Sequence, residues 1–247
     1  MIAVSIVSHG HGRMVEALLG DLAACPEVAR VILTINVPEP EPAMPAALAG
    51  RVEVLRNAAP KGFGANHNAA FARCDAPYFC VLNPDVRLGE NPFPALLGCL
   101  KDGAALAAPL VANSDGATED SARRFPGFAS LLAKVLGLAD GAYRFGRNNP
   151  PFHPDWVAGM FMLFAAADYA ALGGFDEGYF LYYEDVDVCV RLWRSGRKIT
   201  LCPQAVVTHA AQRASHRHLR HLAWHLRSMG RYFIRHWGRL PAAGAGR

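Results

Sequence analysis

The sequence predicts an α/β domain built on a mostly parallel sheet with helices on both faces. Three observations carry this. Apolar runs of four to eight residues recur through the first half of the chain. The segments between them repeat their apolar residues at helical spacing. The chain also has 247 residues and 52% hydrophobic content, enough to bury a real core. Strands alternating with helices at this interval read as βαβ units, whose strands pair in parallel.

The elements follow in order. Ile2 to Ser8 is apolar with a polar end, as in a buried parallel strand. Arg13 to Ala24 sets Met14, Leu18, Leu19 and Leu22 on one helical face. Val31 to Val37 is a second strand, and the alternating prolines from Pro38 to Pro45 require an irregular connection. Val52 to Leu55 is a third strand. It leads through Gly62-Phe63-Gly64 to a helix over Ala65 to Arg73. Tyr78 to Leu82 is a fourth strand ending at Asn83-Pro84-Asp85, Phe93 to Leu100 is helical, and Ala104 to Val111 is a fifth strand. The pattern then loosens. Ser114 to Arg124 is polar, Ala129 to Leu138 reads as a short helix, Gly141 to Pro154 as loop, and Trp156 to Phe164 as strand. From Gly173 to Arg197 a glycine turn gives way to aromatics and then to a helix starting near Glu184, with Val186, Cys189, Val190 and Trp193 at helical spacing. Ile199 to Val207 is the last apolar run, ending at Thr208-His209.

Composition narrows the class. No two of the six cysteines form a C-x-x-C, and several lie in apolar runs, so buried thiols in a reducing compartment are expected rather than disulfides or zinc. MIAVSIVSHG carries no basic leader, and no run gives about 18 uncharged apolar residues. A cytoplasmic protein is expected, either free or at a membrane surface. The net charge of +4 hides an asymmetry: residues 210–247 hold eight arginines and no acid, which leaves 4 − 8 = −4 for the rest. In that tail Leu219, Leu222, Leu226, Met229, Phe233 and Trp237 form an apolar stripe, with Arg220, Arg227, Arg231 and Arg235 beside it. A basic amphipathic helix of this kind suits an anionic membrane surface, so peripheral contact through 216–239 is expected. The competing expectation is that the stripe packs on the body or on a second subunit. Nucleic acid is not expected as a partner, because the arginines sit on one helix without a recognition motif.

Several motifs carry chemistry, each beside a plainer reading. Asp85 at a strand's carboxyl end could hold a hard cation, or Asn-Pro-Asp could simply be a turn. Gly62 and Gly64 before a helix allow a phosphate or ribose to approach, or merely form a helix entry. Arg123 and Arg124 could grip a phosphate, or simply be an exposed arginine pair. Glu184, Asp185 and Asp187 open a helix, where the dipole favours acids, and Asp187 is placed to pair with Arg191. The aromatics Phe175, Tyr179, Phe180, Tyr182 and Tyr183 ahead of them read as the floor of a pocket.

Taken in sequence, GFGANHN, VLNPDV, WVAGMFMLF, GGFDEGYFLYYEDVDVCVRL and the His209 region resemble glycosyltransferase family 2, which has the GT-A fold. The resemblance covers most of residues 2–210 and is nearest to rhamnosyltransferase-like members of bacterial surface-polysaccharide pathways. It implies a glycosyltransferase domain over 1–210, with a nucleotide-sugar half to about 112 and an acceptor and catalytic half beyond, followed by a basic tail over 211–247. It implies Asp185 as general base with Glu184 beside it, and a divalent cation, Mg²⁺ or Mn²⁺, on Asp85 and His209. Donor contacts are implied for Ser8, Asn36, Gly62, Gly64, Asn68, Asn83, Asp85 and Gly159. The implied donor is a nucleotide-diphosphate sugar, with dTDP-rhamnose the best guess, and the acceptor is a glycan or lipid-linked glycan. The chain departs from the family at three places. Ile35-Asn36-Val37 stands where Asp-Asn-x-Ser is usual, Asn83 replaces the first Asp of the metal motif, and Ser8-His9-Gly10 replaces a Thr-Tyr-Asn-like turn. A sugar nucleotidyltransferase and a catalytically silent sugar-nucleotide-binding relative remain the alternatives.

Overall fold

The computed structural model describes residues 1–127, 137, 141–210 and 219–242. The helix expected over 129–138 therefore lies, apart from residue 137, outside the described residues, as do 216–218 of the expected membrane segment. The elements run β1 (Ile2–Ser8), α1 (Gly12–Ala23), β2 (Val28–Ile35), β3 (Val52–Arg56), α2 (Phe63–Phe71), β4 (Tyr78–Leu82), β5 (Val86–Arg87), α3 (Phe93–Lys101) and β6 (Ala104–Ala112). They continue with β7 (Ala122–Arg123), β8 (Trp156–Val157), β9 (Phe161–Ala165), α4 (Ala166–Leu172), α5 (Glu184–Arg194), β10 (Lys198–His209) and α6 (Leu219–His236).

Eight strands form one sheet in the order β3-β2-β1-β4-β9-β6-β10-β5, and β7 pairs with β8 in a small second sheet. Strands β3, β2, β1 and β4 are mutually parallel, as are β6 and β10. β9 runs antiparallel between β4 and β6. The strand order reverses between β1 and β4, and in such sheets the ligand crevice lies beyond the carboxyl ends of the strands at that point. Ser8 ends β1 there, and Asn83-Pro84-Asp85 follows β4.

Strand alternation divides the core into two layers. Ile2, Val4 and Ile6 of β1 face one side with α1 and α3, while Ala3 faces the other with Tyr169, Phe175 and the apolar residues of α5. β9 does the same: Phe161 and Leu163 join the first layer, Met162 and Phe164 the second. All six cysteines are free, and five are buried.

Two expectations need correction. The strand read over Trp156 to Phe164 is two strands, because the chain turns at Ala158-Gly159-Met160 to pass from the small sheet to the large one. In the tail, the apolar stripe is divided rather than packed on the body as a whole. Phe233 packs against the core and Met229 is half-buried, beside the buried Tyr232, Ser228 and His236, whereas Leu222, Leu226 and Trp237, with Ile234, face solvent. No helix among the described residues is long and apolar enough to cross a membrane.

Candidate functional site

Two acidic centres sit beside the crevice, each assembled by a short piece of backbone pairing. The first joins Asp85 to His209. β5 is only two residues long, but it pairs antiparallel with the end of β10, setting Val86 opposite His209. The Ala210 N–H also donates to the Asp85 carbonyl at 2.8 Å. This register brings His209 Nε2 to 3.1 Å from Asp85 Oδ2, and His209 Nδ1 lies 2.8 Å from Glu119 Oε2. The bond to Asp85, reinforced by Glu119, pushes the imidazole pKa up to about 9, so the ring is cationic at neutral pH.

The second centre is the start of α5. Tyr182 and Tyr183 both adopt left-handed backbone, with φ of 71° and 67°. For non-glycine residues this strain costs on the order of 1–3 kcal/mol each and persists only where surrounding structure enforces it. It turns the chain sharply into α5 and sets Glu184 and Asp185 in the first turn. Asp185 Oδ2 accepts from the Gly159 N–H at 3.1 Å, and Oδ1 accepts from the Val186 N–H at 2.8 Å. Burial raises the Asp185 pKa, and these two amides partly offset that. Its neighbour Glu184 is enclosed, and burial followed by the charge of Asp185 pushes its pKa up to about 8. Burial and its charged neighbour thus favour the neutral acid at Glu184, while the two amides favour the charged form of Asp185.

The Gly159 turn joins the two centres. The Asn83 N–H donates to the Met160 carbonyl at 2.9 Å, one residue from the amide that holds Asp185. A Cβ on Gly159 would lie 3.5 Å from the Asp185 Cβ and 3.3 Å from the Phe63 ring. Asp85, Asn83, Gly159, Glu184, Asp185 and His209 therefore belong to one linked assembly.

Other expected contacts are engaged elsewhere. Gly62 and Gly64 are close-approach positions, but the chain itself makes the approach. A Cβ on Gly62 would stand 2.7 Å from the Phe180 carbonyl oxygen, and one on Gly64 2.6 Å from the Phe175 Cβ. Asn68 pins α2 to the following turn. Its Oδ1 accepts from the Phe175 N–H and the Tyr169 hydroxyl, and its Nδ2 donates to the Phe175 carbonyl and to Glu177. Asn36 is buried and ties β2 to the entry of α2, accepting from the Lys61 N–H at 2.9 Å and from Asn57 at 2.8 Å. Ser8 is buried and accepts from the His11 N–H. The aromatic stretch is packing rather than an open floor: Phe175 and Tyr179 are core, Phe180 lies against Trp224, and Tyr183 against Tyr232. Arg123 pairs with Asp120, and Arg124 lies over the Tyr143 ring. A cleft of about 510 Å³ at the ends of β1 and β2 is lined by His11, Arg13, Glu39 and Pro42, among others, and by none of the acidic residues above.

Sequence reasoning missed Glu119, which lies in a polar stretch with no periodicity to mark it. It also missed His236, which reaches Asp187 from α6 at 2.8 Å.

The residues present fit a divalent cation that displaces the proton of His209, since an imidazole ligates only in its neutral form. Asp85 Oδ1 is buried without a hydrogen-bond partner, and Oδ2 faces His209. Among the described residues no group of three or more His, Cys, Asp and Glu side chains forms a ready-made metal cage. A carboxylate and an imidazole completed by substrate phosphates match how Mg²⁺ is commonly bound.

No family model matches the chain. The rhamnosyltransferase WbbL of Escherichia coli K12 is 28% identical over 247 residues, covering 95% of this chain and 93% of that protein. The N-acetylglucosaminyl-diphospho-decaprenol L-rhamnosyltransferase of Mycobacterium tuberculosis is 34% identical over 178 residues, covering 65% of this chain and 57% of that protein. Among solved structures, GalNAc-T7 with UDP, GalNAc and Mn²⁺ superposes with a TM-score of 0.65 at 16% identity, over 85% of this chain and 44% of its own. The mannosyltransferase PcManGT of Pyrobaculum calidifontis with GDP-Man and Mn²⁺ gives a TM-score of 0.63 at 13% identity, over 95% and 63%. The chain thus spans less than two thirds of the mycobacterial relative and of each of these solved chains. With this fold and these relatives, the chain is a GT-A glycosyltransferase related to rhamnosyltransferases.

Proposed function

We propose that the protein transfers a sugar, rhamnose for preference, from a nucleotide-diphosphate donor to a lipid-linked glycan with inversion at the anomeric carbon. The observation that carries this reading is the Gly159 turn, which links a paired carboxylate and imidazole to a carboxylate held for proton transfer. The rhamnosyltransferase names of the sequence relatives support the sugar, and the decaprenol in one of those names supports the acceptor. Asp185 takes the proton from the acceptor hydroxyl as that oxygen attacks. Its raised pKa makes it a better base than an ordinary aspartate, and the Gly159 and Val186 amides favour its charged form. Glu184, neutral beside it, adds no second negative charge. Asp85 and His209 would hold a divalent cation, which supplies charge stabilisation for a departing diphosphate. Glu119 fixes the orientation of the His209 ring. The cleft at His11, Arg13 and Glu39 is offered for the nucleoside end of the donor.

The test is product analysis. The protein is incubated with β-linked dTDP-rhamnose, Mg²⁺ or Mn²⁺, and a short-chain polyprenyl-diphospho-N-acetylglucosamine. The expected product is an α-linked rhamnosyl lipid. A retained configuration would remove Asp185 from the role of base, and transfer from a different donor would replace the sugar.

A further inference from the structure

Helix α6 is mounted through a mixed face, with Phe233 packed on the core beside polar residues. Ser228, Tyr232 and His236 are buried, and the Ser228 hydroxyl donates to the Leu181 carbonyl. His236 Nε2 meets the fully buried Asp187 at 2.8 Å, and Arg231 pairs with Asp176 at 2.8 Å. These contacts, with Phe233 of the stripe packed on the core, hold the helix to the catalytic element. The rest of the stripe, with the neighbouring Ile234, is left in solvent: Leu222 is 55% exposed, Leu226 51%, Ile234 84% and Trp237 67%. Arg220, Arg227 and Arg239 are also exposed on this element and its end. An exposed apolar face of this extent on a folded chain marks a contact surface.

We propose that α6 seats the protein on an anionic lipid surface, with Leu222, Leu226, Ile234 and Trp237 entering the headgroup boundary and the arginines pairing with lipid phosphates. Charge decides between this occupant and a second copy. Residues 210–247 contain no acid. A twofold interface sets the same patch against itself, which would oppose arginine to arginine. An anionic leaflet complements both the apolar strip and its basic flank. The strip is one helix wide and 18 residues long, about 27 Å at 1.5 Å per residue, which suits an in-plane helix. Its first turns touch the segment leading into the catalytic helix, through Phe180 on Trp224 and Tyr182 on His221. The surface would thus lie beside the entry to the site. Docking needs neither donor nor acceptor, so it stands or falls apart from the transfer reading.

The test uses the full chain and vesicles of phosphatidylglycerol or phosphatidylcholine. Co-sedimentation is expected with the anionic vesicles, weakening as salt rises, and at least about tenfold less with the neutral ones. The double substitution Leu226→Asp with Ile234→Asp should reduce anionic-vesicle binding at least about tenfold, and Arg220→Glu with Arg227→Glu should remove most of its salt dependence. A measurement that needs neither double variant covers any folding failure: brominated phosphatidylglycerol should quench the Trp237 emission, identified by difference from Trp237→Phe. Absence of binding to anionic vesicles, or binding without Trp237 quenching, would overturn the proposal. So would a wild-type dimer that Leu226→Asp with Ile234→Asp converts to monomer while lipid binding is absent, which would give the face to a second copy.

Discussion

Asp185 and Glu184 are consecutive buried carboxylic acids, and their hydrogen bonding differs. Asp185 receives two backbone amides, whereas Glu184 has a buried Oε2 with no hydrogen-bond partner. We predict that Asp185→Asn leaves donor affinity nearly unchanged and lowers turnover at least about 100-fold, read by calorimetry and by steady-state rates. Glu184 makes a separate prediction about stability. Its folded pKa is raised from 4.5 to about 8, so the folded state holds this proton more tightly than the unfolded chain does. That contribution is complete below pH 4.5 and is lost as pH rises through about 8. Glu184→Gln should therefore melt above the parent at pH 9 and close to it at pH 4.5. A parallel pair of melting curves across that range would refute the assignment. At this scale the sequence was informative where a motif is local. The glutamate, the aspartate and their helical first turn are read directly, and the i,i+4 pair of Asp187 with Arg191 forms at 2.7 Å as expected. Gly62 and Gly64 were legible as close-approach positions, but sequence cannot say what approaches. The answer, Phe180 and Phe175, lies more than 100 residues away. Asn36 and Asn68 had the right chemistry for a sugar or phosphate, yet the protein uses their polar atoms itself.

Helices α5 and α6 form the element pair that sets the geometry of the proposed site. Tyr182 and Tyr183 hold a strained turn at the start of α5, and α6 packs over it through His225 and Tyr232. Asp187 is the fastening point. Burial alone would raise its pKa, but His236, Arg191 and Arg235 hold it below 3.8. The contribution of this cluster is accordingly present above pH 3.8 and lost as pH falls below it. His236→Ala should cost about 3 kcal/mol, because it strips a partner from a buried carboxylate. Urea unfolding with an unchanged slope would measure it, and a loss below about 1 kcal/mol would show that the contact is not needed. The stripe on α6 was plain in the sequence, but its direction was not. Periodicity identifies an apolar face without identifying what covers it. Here the carboxylates of Asp176 and Asp187 draw Arg231 and His236 to the body beside Tyr232 and Phe233, which turns part of the stripe away from the core.

Across the whole molecule, the parallel order β3-β2-β1-β4 and its switch point follow from the alternation of apolar runs and helices in the first half. What escaped is long-range and small. β9 enters antiparallel between β4 and β6, and the two residues of β5 pair with β10. A two-residue strand has no periodicity to read, yet it brings together Asp85 and His209, which are 124 positions apart. The central claim is that this pair takes a divalent cation in order to bind a nucleotide-diphosphate sugar. Titration calorimetry of a panel of such sugars, led by dTDP-rhamnose, with Mg²⁺, with Mn²⁺ and with neither, tests it most directly. The account predicts that one donor binds only when metal is present and that Asp85→Asn abolishes that binding. A panel in which no donor binds with either metal, or in which binding is indifferent to both metal and Asp85→Asn, would contradict it.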